Sequence, residues 1–536
     1  MGSLGFEPRL LPHALDQEAI HNPDRLFCIH SVSLKSLDNG WRRVTIGELA
    51  HAVNSFAWWI EKNVASRASP QRLVYIGPAD IRYSICVLAC MKLGHCLLLL
   101  SPNTSDSVIN CLLKSGRCSR LLFAPEYAEK VQRIRSSNKS LQAWQVMGLW
   151  EMFDVSSEPF PYCPEYTLAK EREPTVILYS SGTTGLPKEI PFPHGYFTAL
   201  DYFQHIPLPP GRKSTAPWLN HDENPHLLKT SLSHGSGIVT WGAAIFHRTL
   251  FVIGPDIPMT GELLEQIVTE TGAKSGLFLP DTLTNLSSSP EGMKAMARLD
   301  CVSFVGMPLP TSVGDKISRI TRLQSSIGLT ETAYFCTIRP EDPKHWEYFE
   351  WNPHHPVQMR DTAGGYSEMI ITRPEGPYTH CVFLVLPDRE EFATGDLFVQ
   401  DTESPGLWKH AGRRNDVSKL QNRVLLHPTP IENMLEGLEL VSKAVATTDH
   451  SLRPVLIVDP NRRVEGNELS SEEVVERLWP SVKEINAGLP PEAQIAQTHI
   501  LVAPVDKPLR TTAKGTVQRR LVVEDFAKEI EACSRR

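Results

Sequence analysis

The stretch from Val176 to Gly195, VILYSSGTTGLPKEIPFPHG, limits what this chain can become more than any other. Val176, Ile177, Leu178 and Tyr179 form a short apolar run that predicts a buried strand. Small or hydroxylic residues follow (Ser180, Ser181, Gly182, Thr183, Thr184 and Gly185), and after Leu186 comes the pair Pro187-Lys188. Gly182 and Gly185 permit positive φ and let the backbone approach a ligand closely. Backbone N–H groups, the hydroxyls and the Lys188 ammonium together make an anion cradle. A polar surface loop draws on the same residue types. The density of hydroxyls, the strand before and the lysine after set this loop apart. Its spacing is not the Walker A order, in which Gly-Lys-Ser/Thr closes the loop.

A chain of 536 residues is too long for one ordinary core, so at least two domains are expected. Hydrophobic content of 41% and charged content of 21% fit a soluble globular protein. A net charge of -7 argues against a general nucleic-acid binder and leaves small anionic ligands open, since those need only a local cluster of cations. The eleven cysteines lack metal-type or disulfide-type spacing and read as reduced core residues of an intracellular, cytoplasmic protein. Pro8, Arg9 and His13 interrupt any apolar signal at the N-terminus. The most apolar segment, 85–100, carries Lys92, Gly94 and His95 in its middle, which predicts a helix and then a buried strand, with no membrane span.

Strand–helix–strand rhythm recurs along the first half. Residues 73–78 predict a strand and turn, 82–93 a helix, 96–100 a strand and 121–124 another strand. Pro159, Pro161 and Pro164 mark an extended connector. Further on, 238–246 and 259–271 read as helices, and 275–279, 301–306 and 322–324 as strands. Composition shifts after Asp401, which places a large domain at 1–411 and a smaller α/β region at 412–536. His221, Asp222, Glu223 and His226 resemble a metal cluster by composition alone and read as a solvated loop.

The Ser180–Lys188 order resembles the phosphate loop of the adenylate-forming enzymes: acyl-CoA synthetases, luciferases and the adenylation domains of peptide synthetases. Further segments carry the same resemblance, and each alone has a bland reading as solvated surface or an ordinary turn. Ile327-Gly328-Leu329-Thr330-Glu331 is similar to the family segment that holds adenine, although Ile327 replaces the usual aromatic. The resemblance makes Thr330 an α-phosphate contact and Glu331 the Mg²⁺ ligand. Thr394-Gly395-Asp396 resembles the motif whose Asp binds the ribose hydroxyls, and Arg413 the arginine that also reaches the ribose. Asn415 stands at the hinge position, where most relatives carry Asp or Lys. Lys514, within PLRTTAKGT, resembles the lysine that neutralises charge during adenylation.

What the family resemblance implies is a two-domain α/β fold. Its large domain has parallel or mixed sheets flanked by helices, and its small C-terminal α+β domain is mobile. It also implies ATP and Mg²⁺ as cofactors and a carboxylic acid as substrate. Two departures, Glu189 after the loop Lys188 and the 417–432 segment, look like the fungal non-canonical peptide synthetases (NRPS-like) of the adenylation–thiolation–reductase type. There the acceptor is phosphopantetheine on a carrier domain, which is expected either in cis in a longer parent or in trans. His234, Gly235, Gly306, Met307 and Gly328 fall on the family's substrate-pocket positions. Amino-acid-activating relatives place an Asp near His234, whereas residues 232–237 offer no carboxylate. A buried ammonium would be left unpaired there, so an acid without an α-amine, an aryl acid, is expected. Free coenzyme A as acceptor, and a non-catalytic nucleotide-binding homologue, are the competing readings.

Overall fold

The computed structural model describes residues 6–163, 165–181, 187–375, 379–421, 424–462, 469–512 and 515–534. Two α/β sheets form its centre. The first has six strands in the order 142–145, 120–123, 72–76, 96–100, 174–181, 187–193. All neighbours are parallel except the last pair, a hairpin whose tip is the glycine- and hydroxyl-rich loop. The second has seven strands in the order 322–326, 301–305, 275–278, 226–228, 251–253, 26–31, 41–45, again parallel apart from the final pair.

The helix Arg82–Leu93 is buried on every face, which is why its sequence lacks an amphipathic stripe. Its two charges are both neutralised: Arg82 by Asp80 at 2.7 Å and Glu126 at 2.7 Å, and Lys92 by Asp16 at 2.7 Å. The helix ends on Gly94 at φ 73°, and the fully buried strand Cys96–Leu100 follows, as the sequence predicts. Among the described residues no helix is long and apolar enough to cross a membrane. The helix Ile46–Asn63 begins with a capping box between Thr45 and Glu48. Nine of the eleven cysteines are buried; Cys111 is half-buried and Cys163 exposed, and all are free thiols.

Residues 348–413 fold into a five-stranded antiparallel sheet, order 348–350, 407–413, 391–400, 367–372, 357–361, which sequence reasoning left unassigned. The boundary expected after residue 411 falls inside its strand Leu407–Arg413, two residues short of the end. Beyond it, the strands Val441–Thr448, Pro454–Pro460 and Ile500–Val502 form a smaller sheet. That sheet packs on the helices Pro428–Glu436 and Ser471–Ala487 through Leu435, Leu456, Leu478 and Val482.

One reading is corrected here. The 221–226 loop is not simply solvated: His221 and Asp222 are exposed, but Glu223 is 3% exposed and His226 2%. Arg339, distant in sequence, reaches in to bond Glu223 at 2.8 Å, and Lys213 lies 3.3 Å away. Burial would raise the Glu223 carboxyl, but these cations outweigh it and hold it low.

Candidate active site

In open parallel sheets, ligands gather beyond the carboxyl ends of the strands, where loops diverge. Three segments marked by the sequence lie there, and the strand Pro174–Ser181 ends at the same edge, where the phosphate-loop sequence begins. His234 and Gly235 stand beyond the strand His226–Leu228, with His234 at the position just before the helix Gly235–Phe246 and no capping bond from its side chain. Gly306 and Met307 follow Cys301–Val305, and Ile327 and Gly328 follow Arg322–Ser326; these two strands pair through Val305 and Ser326. Gly306 sits at φ 98°, a conformation side chains resist.

Close approaches join the strand before the loop, the start of the helix Gly235–Phe246 and the Thr330 turn. A methyl at Gly235 would lie 3.7 Å from Thr330 Cα and 3.9 Å from Leu178 Cδ1, so the helix start, the Thr330 turn and the loop strand meet at one point. The Tyr196 hydroxyl donates to the Thr330 carbonyl at 3.2 Å. Tyr196 itself stacks on Phe192 of the loop hairpin, with ring centres 4.0 Å apart. Burial above all, then the Cys381 thiol and the Glu331 carboxylate, raise the Tyr196 phenol, which therefore stays a donor. Glu331 is half-buried in the turn between the short strands Gly328–Leu329 and Ala333–Tyr334. It makes no ion pair among the described residues. A single uncommitted carboxylate suits Mg²⁺, which is bound through one or two carboxylates plus substrate phosphates.

Thr394-Gly395-Asp396 is a bulge in the antiparallel sheet: Glu368 pairs with Leu397 and Ile370 with Ala393, so the triplet faces Met369 alone. Thr394 Oγ1 donates to the Met369 carbonyl at 2.9 Å and accepts from the Asp396 N–H at 3.1 Å, with Gly395 at φ 76° making the turn. Asp396 is 4% exposed and bonds Arg413 Nε at 3.2 Å and His410 Nε2 at 3.3 Å. Burial works to raise its carboxyl, but the His410 hydrogen bond and the Arg413 charge outweigh it and hold it below the usual carboxylate range.

His410 was not found by sequence reasoning. Residues 410 and 413 point to opposite faces of a regular strand. A second register shift, where Phe398 pairs with His410 and Leu397 with Gly412, leaves Ala411 as the extra residue and turns both side chains toward Asp396. No local sequence signal marks such a bulge. Ile327 packs into a cluster with Phe335, Phe349 and Phe398, and Phe398 sits on the strand that carries Asp396. The adenine-type and ribose-type segments therefore share one wall.

Asn415 sits in the short turn Arg414–Asp416 between two anchors. Arg414 bonds Glu368 of the antiparallel sheet at 3.0 Å, and Asp416 lies 3.5 Å from Arg519, which grips Glu432 with both terminal nitrogens at 2.6 and 2.7 Å. Just before it, Gly412 holds φ 107°, and any side chain there would overlap Thr429 Oγ1. Gly412→Ala is therefore expected to lose about 2 kcal/mol of stability, read as a lower urea midpoint. An unchanged midpoint would mean the strand end relaxes freely.

Several candidates stay apart or out of view. Lys188 is exposed, pairs in register with Ser180 and makes no ion pair among the described residues. Gly182, Thr183, Thr184, Gly185 and Lys514 lie outside the described residues, and Ser180 and Ser181 are described only as strand backbone.

A large mixed α/β domain followed by a smaller C-terminal domain is the two-domain fold of solved CoA ligases. The chain belongs to the AMP-binding enzyme family, whose profile matches residues 15–354; that of the AMP-binding enzyme C-terminal domain matches 416–536. Its relatives include the isocyanide synthase-NRPS hybrid crmA of Aspergillus fumigatus, 26% identical over 99% of this chain and 34% of that protein. The carboxylic acid reductase of Neurospora crassa is 25% identical over 98% of this chain and 50% of that one. The chain thus spans a third to a half of the curated relatives it matches. Among solved structures, the anthranilate CoA ligase AuaEII with anthranoyl-AMP shares the fold at TM-score 0.73 and 14% identity, covering all of both chains. ATP-bound MatB from Rhodopseudomonas palustris shares it at 0.72 and 15%, covering 97% of this chain and 99% of that one.

Proposed function

We propose that this chain converts a carboxylic acid lacking an α-amine, an aryl acid, to its acyl-adenylate and passes the acyl group to the phosphopantetheine thiol of a carrier domain, as part of an NRPS-like enzyme. One observation carries the reading above all: Leu178, Gly235 and Thr330 meet where parallel strands end, in a chain of the AMP-binding family. The carboxylate oxygen attacks the α-phosphorus of ATP, the bond to the bridging oxygen breaks, and pyrophosphate leaves. The thiol sulfur then attacks the acyl carbon, and AMP leaves with the electron pair.

In this reading the Ser180–Gly185 loop and Lys188 hold the phosphates, and Thr330 donates to the α-phosphate. The Tyr196 bond fixes the Thr330 turn against the hairpin, which keeps the donor in place without reorganisation. Asp396 accepts from the ribose hydroxyls, held ionised and oriented by His410 and Arg413. Glu331 would hold Mg²⁺, which would spread charge from the leaving phosphates. Ile327 covers the adenine face. His234, Gly235, Gly306, Met307 and Gly328 line the acid pocket, and the lack of a carboxylate in 232–237 supports an acid without an α-amine. The small domain, 412–536, turns about Asn415 between half-reactions and brings Lys514 to the reacting phosphate. The unequal anchors on Arg414 and Asp416 support a pivot there.

The acceptor is tested by intact mass of an added holo-carrier with and without coenzyme A. Acylation of the carrier that survives excess coenzyme A supports the proposal; acyl-CoA formation with an unmodified carrier overturns it in favour of a CoA ligase. Asp396→Ala is expected to weaken AMP binding about 10- to 100-fold, the loss of charge-assisted hydrogen bonds, measured by calorimetry. Unaltered affinity would remove Asp396 from the nucleotide site.

A further inference from the structure

The hairpin that carries the phosphate loop has an opposite, open end, where Pro174 pairs with Pro193. A cavity of about 910 Å³ opens there, lined in part by Arg67, Arg72, Lys92, Lys170 and His194. It lies the length of the strand Pro174–Ser181 away from the loop, roughly 23 Å at 3.3 Å per residue. None of the chemistry assigned above uses it.

Its lining is cationic. Four Lys or Arg side chains face a single carboxylate, Glu173, which pairs with Lys170 at 2.8 Å. Asp16 holds Lys92 at 2.7 Å from behind, and Glu189 lies 3.8 Å from Arg72. Glu61 also accepts from the Arg67 backbone N–H at 2.6 Å, so the carboxylates that balance these cations, Glu173 apart, stand outside the lining. His194 is 3% exposed, yet its Nδ1 is buried without a hydrogen-bond partner, and the Tyr162 hydroxyl in the same lining is likewise buried and unpaired. An unpaired buried polar atom costs on the order of 1–3 kcal/mol, so the two beside this cavity are groups that a ligand drawing them inward would satisfy. His194 also opens the helix His194–Tyr202, whose N-terminus no side chain caps and whose dipole favours negative charge. The volume is that of a small-molecule site.

We propose that this cavity is a second binding site, specific for a small multiply charged oxyanion, a polycarboxylate or a phosphorylated molecule, held by Lys170, Arg67 and Arg72 and by His194 and Tyr162 as neutral partners. The open end of the hairpin thereby senses an anion while its tip handles the nucleotide.

Cys163 supplies the readout, since it lines the cavity and is exposed, whereas the other cysteines are buried or half-buried. The full chain is treated with iodoacetamide, a neutral reagent, and alkylation of the Cys163 peptide is timed by mass spectrometry. Citrate and inorganic phosphate are titrated in separate arms against sodium chloride of equal ionic strength. Saturable slowing by at least fivefold in either arm, beyond chloride, is expected, and the stronger arm names the chemistry. Lys170→Glu, with an unchanged melting temperature, should abolish the protection, and Arg67→Glu should weaken it. Asp396→Ala should retain it, which separates this site from the nucleotide site. No saturable protection by either anion, or protection unaltered in Lys170→Glu, would overturn the proposal.

Discussion

Replacing Lys514 with alanine is expected to lower acid-dependent ATP–pyrophosphate exchange by about 10²- to 10³-fold, or roughly 3–4 kcal/mol of transition-state stabilisation. In the proposed reading, charge builds on the carboxylate and bridging oxygens as the acid displaces pyrophosphate, and the Lys514 ammonium would meet that charge only in the transition state. Stabilisation present in the transition state and absent from the ground state appears in kcat more than in KM. Transfer from preformed acyl-adenylate to the thiol should survive, because AMP departs without that phosphate chemistry. Equal loss of both half-reactions would contradict the role given to Lys514.

The second large effect concerns acid. Seven histidines are buried in the large domain: burial drives His194, His247 and His355 down to about 3 and His226 to about 4, and it lowers His30, His95 and His380 as well. His355 lies between Phe203, Phe335 and His380, with both ring nitrogens unpaired. These groups have depressed native values against an ordinary 6.5, so the unfolded chain binds more protons between pH 6.5 and about 4. Stability therefore falls as pH drops through that window and is complete above it. At pH 5 His194, His226, His247 and His355 each cost about 2 kcal/mol, and together they approach the whole margin of a typical domain. Thermal unfolding from pH 7.5 to 5 should show a steep fall in Tm, made shallower by His355→Leu. A flat or rising Tm on acidification would mean these rings are hydrated or paired in the native state.

What could be read from the chain follows physical range. The buried helix Arg82–Leu93 and strand Cys96–Leu100 were legible because an unbroken apolar run with a glycine stop has few other outcomes. The phosphate-loop strand was legible for the same reason, and it runs slightly longer than its four apolar residues, from Pro174 to Ser181. The antiparallel sheet was not, since its strands alternate weakly and two bulges break the period. His410 went unseen for that reason: its contact with Asp396 exists only because Ala411 is an extra residue. The Glu223–Arg339 pair escaped too, because charge neutralisation by a residue far along the chain leaves no mark on the local pattern. Long-range pairing, not composition, decides which carboxylates are buried.

The central claim is that a carboxylic acid displaces pyrophosphate from ATP at the site where the Leu178 strand, Gly235 and Thr330 meet. Isotope exchange between pyrophosphate and ATP, run on the full chain across a panel of aryl and amino acids, tests it most directly. Exchange that appears only when an aryl acid lacking an α-amine is added, and that collapses in Asp396→Ala, is the expected result. Exchange with no acid in the panel, or exchange driven only by α-amino acids, would contradict it.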